Sequence, residues 1–170
     1  TKPDCVTLVA ENPNEITTEG GLDVKKNISI VRAAVNRMRE AGILASIFID
    51  PTKEQIEASH DAGAQQIEIC TAEYAELTLG TRASYAAGSL KSTNEIRRIR
   101  DAASLAKQYG LRVAAGHGLT YRNVGAIATI QEITEFNIGH NIISRAVLVG
   151  LDKAVREMRE AILWQSGVRS

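Results

Sequence analysis

Short apolar runs alternate along this chain with stretches whose apolar residues recur at steps of three and four. The runs read as buried strands and the stretches as amphipathic helices. Cys5–Val9 is the first predicted strand. Ile28, Val31, Val35 and Met38 then mark a helix that Asn27 or Ser29 can cap and that stops at Gly42. Ile43–Ile49 is the second strand, and Asp50-Pro51 supplies an N-cap and a first-turn proline for a helix running to Gly63. Gln66–Cys70 is the third strand. Ser92-Thr93-Asn94-Glu95 has the form of a capping box, opening a helix with Ile96, Ile99, Ala103 and Ala106 on one face that ends at Gly110. Leu111–Ala115 and Ile133–Ile138 are the fourth and fifth strands. Ile142–Val149 looks helical, and Leu151, Val155, Met158 and Ile162 mark a last amphipathic helix. Strand and helix alternate with short connections, which predicts an α/β fold of five βα units around a parallel sheet with right-handed crossovers.

One segment breaks the alternation. Leu77–Lys91 is rich in small residues, contains glycines and has no clear period, so it is a lid or, more simply, a tolerated surface insertion. Composition narrows the class further. With 170 residues, 44% of them hydrophobic, the chain can bury a sizeable core. Twenty basic residues balance twenty acidic ones, so nothing draws it to nucleic acid or to a membrane surface. Aromatics at 4% argue against a base-stacking platform, and no run approaches the roughly 18 apolar residues of a membrane span. Cys5 and Cys70 lie far apart in apolar runs and read as buried free thiols, which suits a reducing, cytoplasmic setting. No signal-peptide pattern opens the chain; Thr1-Lys2-Pro3-Asp4 leads straight into an apolar run, as the middle of a longer fold would.

The candidate chemistry lies at the strand ends. Gly116-His117-Gly118 follows the fourth strand and Gly139-His140 the fifth. In parallel α/β folds the carboxyl edge is where ligands bind and react. His117, between two glycines, is either a proton donor, since histidine titrates near neutrality, or a loop residue holding a turn. Glu68 sits inside the third strand, and alternation points it away from Ile67 and Ile69. A carboxylate there is functional or is paired with a lysine or arginine. Gly139, His140 and the amides of the helix starting near Asn141 make a phosphate cradle, to which Gly118 would add an amide, or else a simple glycine-assisted helix start. Thr17, in the loop Thr17-Thr18-Glu19-Gly20-Gly21, offers a hydroxyl among exposed amides or ordinary turn chemistry. His60, near a helix C-terminus, complements the helix dipole and takes no role. Arg145 is close to the phosphate cradle or is a surface ion-pair partner. Three histidines at these spacings, without clustered cysteines or carboxylates, make no metal site.

Several of these segments together resemble a known family. Ile16-Thr17-Thr18-Glu19-Gly20-Gly21-Leu22-Asp23, Ser46-Ile47-Phe48-Ile49-Asp50, Ile67-Glu68-Ile69, Ala115-Gly116-His117-Gly118-Leu119-Thr120-Tyr121 and Asn137-Ile138-Gly139-His140 are similar to pyridoxine 5'-phosphate synthases, in family order and across essentially the whole chain. The resemblance implies a (β/α)8 TIM barrel and a ring-closing condensation of 1-deoxy-D-xylulose 5-phosphate with 3-amino-2-oxopropyl phosphate, without metal or redox cofactor. It implies His117 as proton donor, Glu68 as transition-state stabiliser, Thr17 as a contact to deoxyxylulose phosphate, and a homo-oligomer. Whether Thr18 shares the task of Thr17 is open. Family members begin with about three more βα units carrying an Asn-x-Asp-His segment, a His/Arg-rich phosphate loop and a glutamate general base, none of which occurs here. The chain is therefore expected to supply the last five βα units, residues 1–170 being the C-terminal part of one barrel domain that needs the N-terminal strands and is inactive alone. The alternatives are another phosphate-binding barrel enzyme, such as a sugar-phosphate epimerase or isomerase, and a non-catalytic fragment that binds a phosphorylated ligand.

Overall fold

The five apolar runs form one sheet. The computed structural model describes residues 2–11, 20–78 and 90–166. Its strands are β1 (Cys5–Leu8), β2 (Leu44–Ile49), β3 (Gln66–Cys70), β4 (Arg112–Gly116) and β5 (Ile133–Asn137), hydrogen-bonded in sequence order, with every neighbouring pair parallel. The helices are α1 (Ile28–Glu40), α2 (Lys53–Asp61), α3 (Ala72–Thr78), α4 (Leu90–Gln108), α5 (Val124–Ala128), α6 (His140–Val149) and α7 (Leu151–Ser166). An unbroken strand order is that of successive barrel units; a doubly wound sheet reverses its order at a switch point. The fold is thus α/β, with five consecutive units of a (β/α)8 barrel.

Register separates the sheet into two chemically different faces. Leu8, Ile47, Ile67, Val113 and Ile133 form one row, and Ile49, Ile69, Ala115 and Phe136 the next. These rows pack against Val31 and Val35 of α1, Ile56 of α2, and Ile99, Ala103 and Ala106 of α4, which make the core with them. The opposite face is polar: Thr7, Ser46, Gln66 and Arg112 in one row, then Phe48, Glu68, Ala114 and Glu135, then Cys70, Gly116 and Asn137. Strict alternation along β5 would place Glu135 and Asn137 with Ile133 on the apolar face. The pairing of β4 with β5 shifts between Val113 and Ala114, so Thr134 is the extra residue of a bulge. A bulge re-aims the side chains beyond it, and here it turns Glu135 and Asn137 to the polar face.

The predicted elements stand, with corrections at their ends. Helices α1, α2 and α4 each stop two residues before a glycine of positive φ, at Gly42, Gly63 and Gly110. Asp50-Pro51 does not open α2, whose N-cap is Thr52 in extended conformation. The Asp50 carboxylate instead accepts a hydrogen bond from the Gly21 amide at 3.0 Å, a tertiary partner that outcompetes the local cap. Ser92 and Glu95 are not a capping box either. Both are buried inside α4, where Glu95 pairs with Arg98 at 3.0 Å. Asn27 is the N-cap of α1, but its side-chain amide donates to the Asp23 carbonyl instead of capping. Cys70 is buried as expected, whereas Cys5 is exposed because β1 is an edge strand of the described sheet. Of the interrupted segment, Leu77 and Thr78 end α3 and Leu90 and Lys91 begin α4, while residues 79–89 lie outside the described ones. Among the described residues, no helix is long and apolar enough to cross a membrane.

Candidate active site

The carboxyl ends of β3, β4 and β5 bring the candidate residues together. Glu68 projects from β3 between Phe48 and Ala114 and is only 9% exposed. The Asn137 side-chain amide donates to Glu68 Oε2 at 2.7 Å. Its partner is thus a neutral amide, not the lysine or arginine of an ion pair. Burial pushes the Glu68 carboxyl above the usual range, and the Glu135 charge adds to this, while the Asn137 hydrogen bond pulls the other way. A carboxyl so placed keeps its proton to higher pH than an exposed one does. Glycine at position 116 is what leaves room: a Cβ there would overlap Glu68 Oε1 and press on the Asn137 carbonyl.

Past Gly116 the chain turns sharply. His117 has φ +80 and Gly118 φ +73, two left-handed residues in succession. Glycine takes this conformation freely and histidine at a cost. At Gly118 a Cβ would also collide with the Ala75 side chain of α3. The half-buried His117 ring lies 6.2 Å from the Phe48 ring, tilted by 44°. The loop beyond is tied down by Asn123, whose side chain accepts from the Thr120 amide at 2.7 Å and donates to Thr78 at 3.0 Å. Asn141 joins this loop to the next one by accepting from the Tyr121 amide at 3.1 Å.

His117, Gly118, Asn137, His140, Asn141 and Ser144 line one cavity of about 300 Å³. Gly139 is the N-cap of α6, exposed, with no atom within 4 Å of the place a Cβ would take. The first hydrogen bond of α6 runs from the Ile143 amide to the Gly139 carbonyl, so the preceding amides lack intrahelical acceptors. Such amides suit an anion. Arg145 does not join them; it holds Glu157 of α7 at 2.8 and 3.1 Å. His60 does not line this cavity; it packs against Tyr109, ring centroids 4.9 Å apart and planes tilted by 40°. Thr17 and Thr18 lie outside the described residues. Among the described residues no group of His, Cys, Asp and Glu is placed to hold a metal ion.

The comparison with known proteins decides the lineage. The model of the family described as pyridoxal phosphate biosynthesis protein PdxJ matches residues 1–163. The chain belongs to the PdxJ family. A relative from Synechococcus sp. named pyridoxine 5'-phosphate synthase is 51% identical over 161 residues, covering 95% of this chain and 64% of its own length. One of the same name from Trichlorobacter lovleyi is 51% identical over 158 residues, covering 92% and 62%. The chain therefore spans less than two-thirds of the PdxJ relatives it matches. Among solved structures, an aldolase from Escherichia coli shares the fold with a TM-score of 0.50 at 15% identity, over 96% of this chain and 57% of that one.

Asn137 is the site residue that sequence reading passed over. It belongs to the Asn137-Ile138-Gly139-His140 segment, but strand alternation assigns it to the helix-covered face, and only the bulge at Thr134 turns it toward Glu68.

Proposed function

We propose that this chain supplies the last five βα units of a pyridoxine 5'-phosphate synthase. Its substrates would be 1-deoxy-D-xylulose 5-phosphate and 3-amino-2-oxopropyl phosphate, and its products pyridoxine 5'-phosphate, phosphate and water. The observation that carries the reading is the convergence of His117, Gly118, Asn137 and His140 on one cavity, with Glu68 hydrogen-bonded to Asn137 behind them. Residues 1–170 would be the C-terminal part of a single barrel domain that also needs the family's N-terminal units and works as a homo-oligomer in the cytoplasm.

In this scheme the substrate amine condenses with the deoxyxylulose carbonyl to an imine, proton transfers expel water and phosphate, and a carbon–carbon bond closes the ring. His117 donates the proton to a departing oxygen. Glu68, desolvated and hydrogen-bonded, offsets positive charge as it develops on the imine nitrogen. Amides at Gly118, Gly139 and His140 hold the phosphate of aminooxopropyl phosphate at the start of α6. Thr17 contacts deoxyxylulose phosphate.

The test is ring formation from the two phosphorylated substrates, followed through pyridoxine phosphate and released phosphate. The full-length protein should form both in equal amounts, and residues 1–170 alone should form neither. No product from the full-length protein would defeat the assignment. A soluble, monomeric and active 1–170 fragment would defeat the division of labour between the two parts of the barrel.

A further inference from the structure

Thr71 stands between β3 and α3, where a threonine hydroxyl ordinarily accepts from the first helical amides. Its hydroxyl is engaged elsewhere. It donates to the Gly116 carbonyl at 2.8 Å and to the His117 carbonyl at 2.6 Å, sharing one hydrogen between two acceptors, while the Thr71 amide also reaches the Gly116 carbonyl at 2.8 Å. Along an extended strand, consecutive carbonyls point to opposite sides. They converge on one hydroxyl here because His117 is left-handed, with φ +80. The residue is 0% exposed, so no water competes for the bond.

We propose that Thr71 is a positioning residue for His117: its hydroxyl clamps the two carbonyls of the left-handed turn and so aims the imidazole into the cavity lined by Gly118, Asn137 and His140. A conformation that a β-carbon disfavours persists only where its surroundings hold it, and this clamp comes from the neighbouring strand. The proposal rests on His117 being the proton donor, and the two ideas can be separated.

In the full-length protein, Thr71→Val keeps the shape and removes the donor, whereas Thr71→Ser keeps the donor and removes a methyl. The valine variant should lose roughly 10- to 100-fold in kcat, as misaimed catalytic groups do, with KM for both substrates nearly unchanged. The serine variant should recover most of that loss. Should the valine variant not fold, Thr71→Ala is read in its place. The deciding measurement is a cycle with His117→Asn, in which the Thr71→Val loss should vanish if Thr71 acts through His117. A loss that persists undiminished beside His117→Asn overturns the proposal and leaves the synthase reading intact. Valine and serine variants equally active would also overturn it. If His117→Asn alone leaves kcat unchanged, the proton-donor role fails and the proposal falls with it.

Discussion

Replacing Gly116 with alanine tests the site where it is tightest. Gly116 does not have positive φ, so alanine is allowed by the backbone and any cost is steric. The new Cβ would overlap Glu68 Oε1 and stand 2.9 Å from the Asn137 carbonyl oxygen and 3.2 Å from Asn137 Cβ. The carboxyl is the part that can swing away, and doing so breaks its 2.7 Å bond to Asn137. Overpacking of this kind costs about 1–3 kcal/mol, and a hydrogen bond to a charged group is worth about 1.5–3 kcal/mol. The swing relieves part of the overlap, so the two do not add in full, and a net loss of about 2–4 kcal/mol is expected. For a domain of this size that lowers the melting temperature by about 4–16 °C. Thermal unfolding of the full-length protein measures it, alongside Glu68→Ala and the double variant. Removing the carboxyl should recover roughly half or more of the Gly116→Ala loss, since only the contacts to Asn137 remain. A Gly116→Ala protein as stable as the parent, or a double variant whose losses simply add, would refute this account of how glycine makes room for Glu68.

His117→Asn should leave the fold intact and reduce kcat by roughly 10²–10⁴, the range of general acid–base groups; near-normal turnover removes it from the mechanism. Burial raises the carboxyl of Glu68 in the folded state, so the stability it contributes is complete below the ordinary glutamate pKa and is lost as pH rises through the folded value. Glu68→Gln lacks that loss, so in urea unfolding the variant should gain on the parent as pH rises from about 4 through the folded value; a constant gap as pH rises contradicts the buried-carboxyl picture. Gly139→Val meets open space but puts a poorer residue at the N-cap of α6, so it should melt within a few degrees of the parent, yet raise KM for aminooxopropyl phosphate; an unchanged KM means that the phosphate sits elsewhere.

The strands were legible because each is a short apolar run, and the helix ends because Gly42, Gly63 and Gly110 follow them at a fixed distance. Local chemistry misled where a distant partner claimed the same atoms. The Asp50 carboxylate has the chemistry of a cap but serves the Gly21 amide, and Glu95 has that of a capping box but is buried against Arg98 inside α4. Helices α3 and α5 have only 7 and 5 residues, too few for a period to show. At the site, His117, Gly118 and His140 were legible as glycine–histidine pairs after strands. That they share a cavity with Asn137 depends on how β4 and β5 lie side by side, which no local window contains.

The bulge at Thr134 shows why one residue of register matters to the chemistry. In a strand the side-chain period is two, so a shift of one residue exchanges the faces. Without the shift, Phe136 would turn toward Glu68 and Asn137 toward the helices, leaving a buried carboxyl against an aromatic ring and an amide against the apolar core. Each of those burials costs free energy with no hydrogen bond to offset it. With the shift, Phe136 joins Ile49, Ile69 and Ala115, and Asn137 reaches Glu68. The Asn137–Glu68 bond and the packing of Phe136 therefore favour the same register, and the site helps to specify the sheet that carries it. The same coupling accounts for glycine at 116, because the register that delivers Asn137 to Glu68 also sets the Asn137 carbonyl against that position.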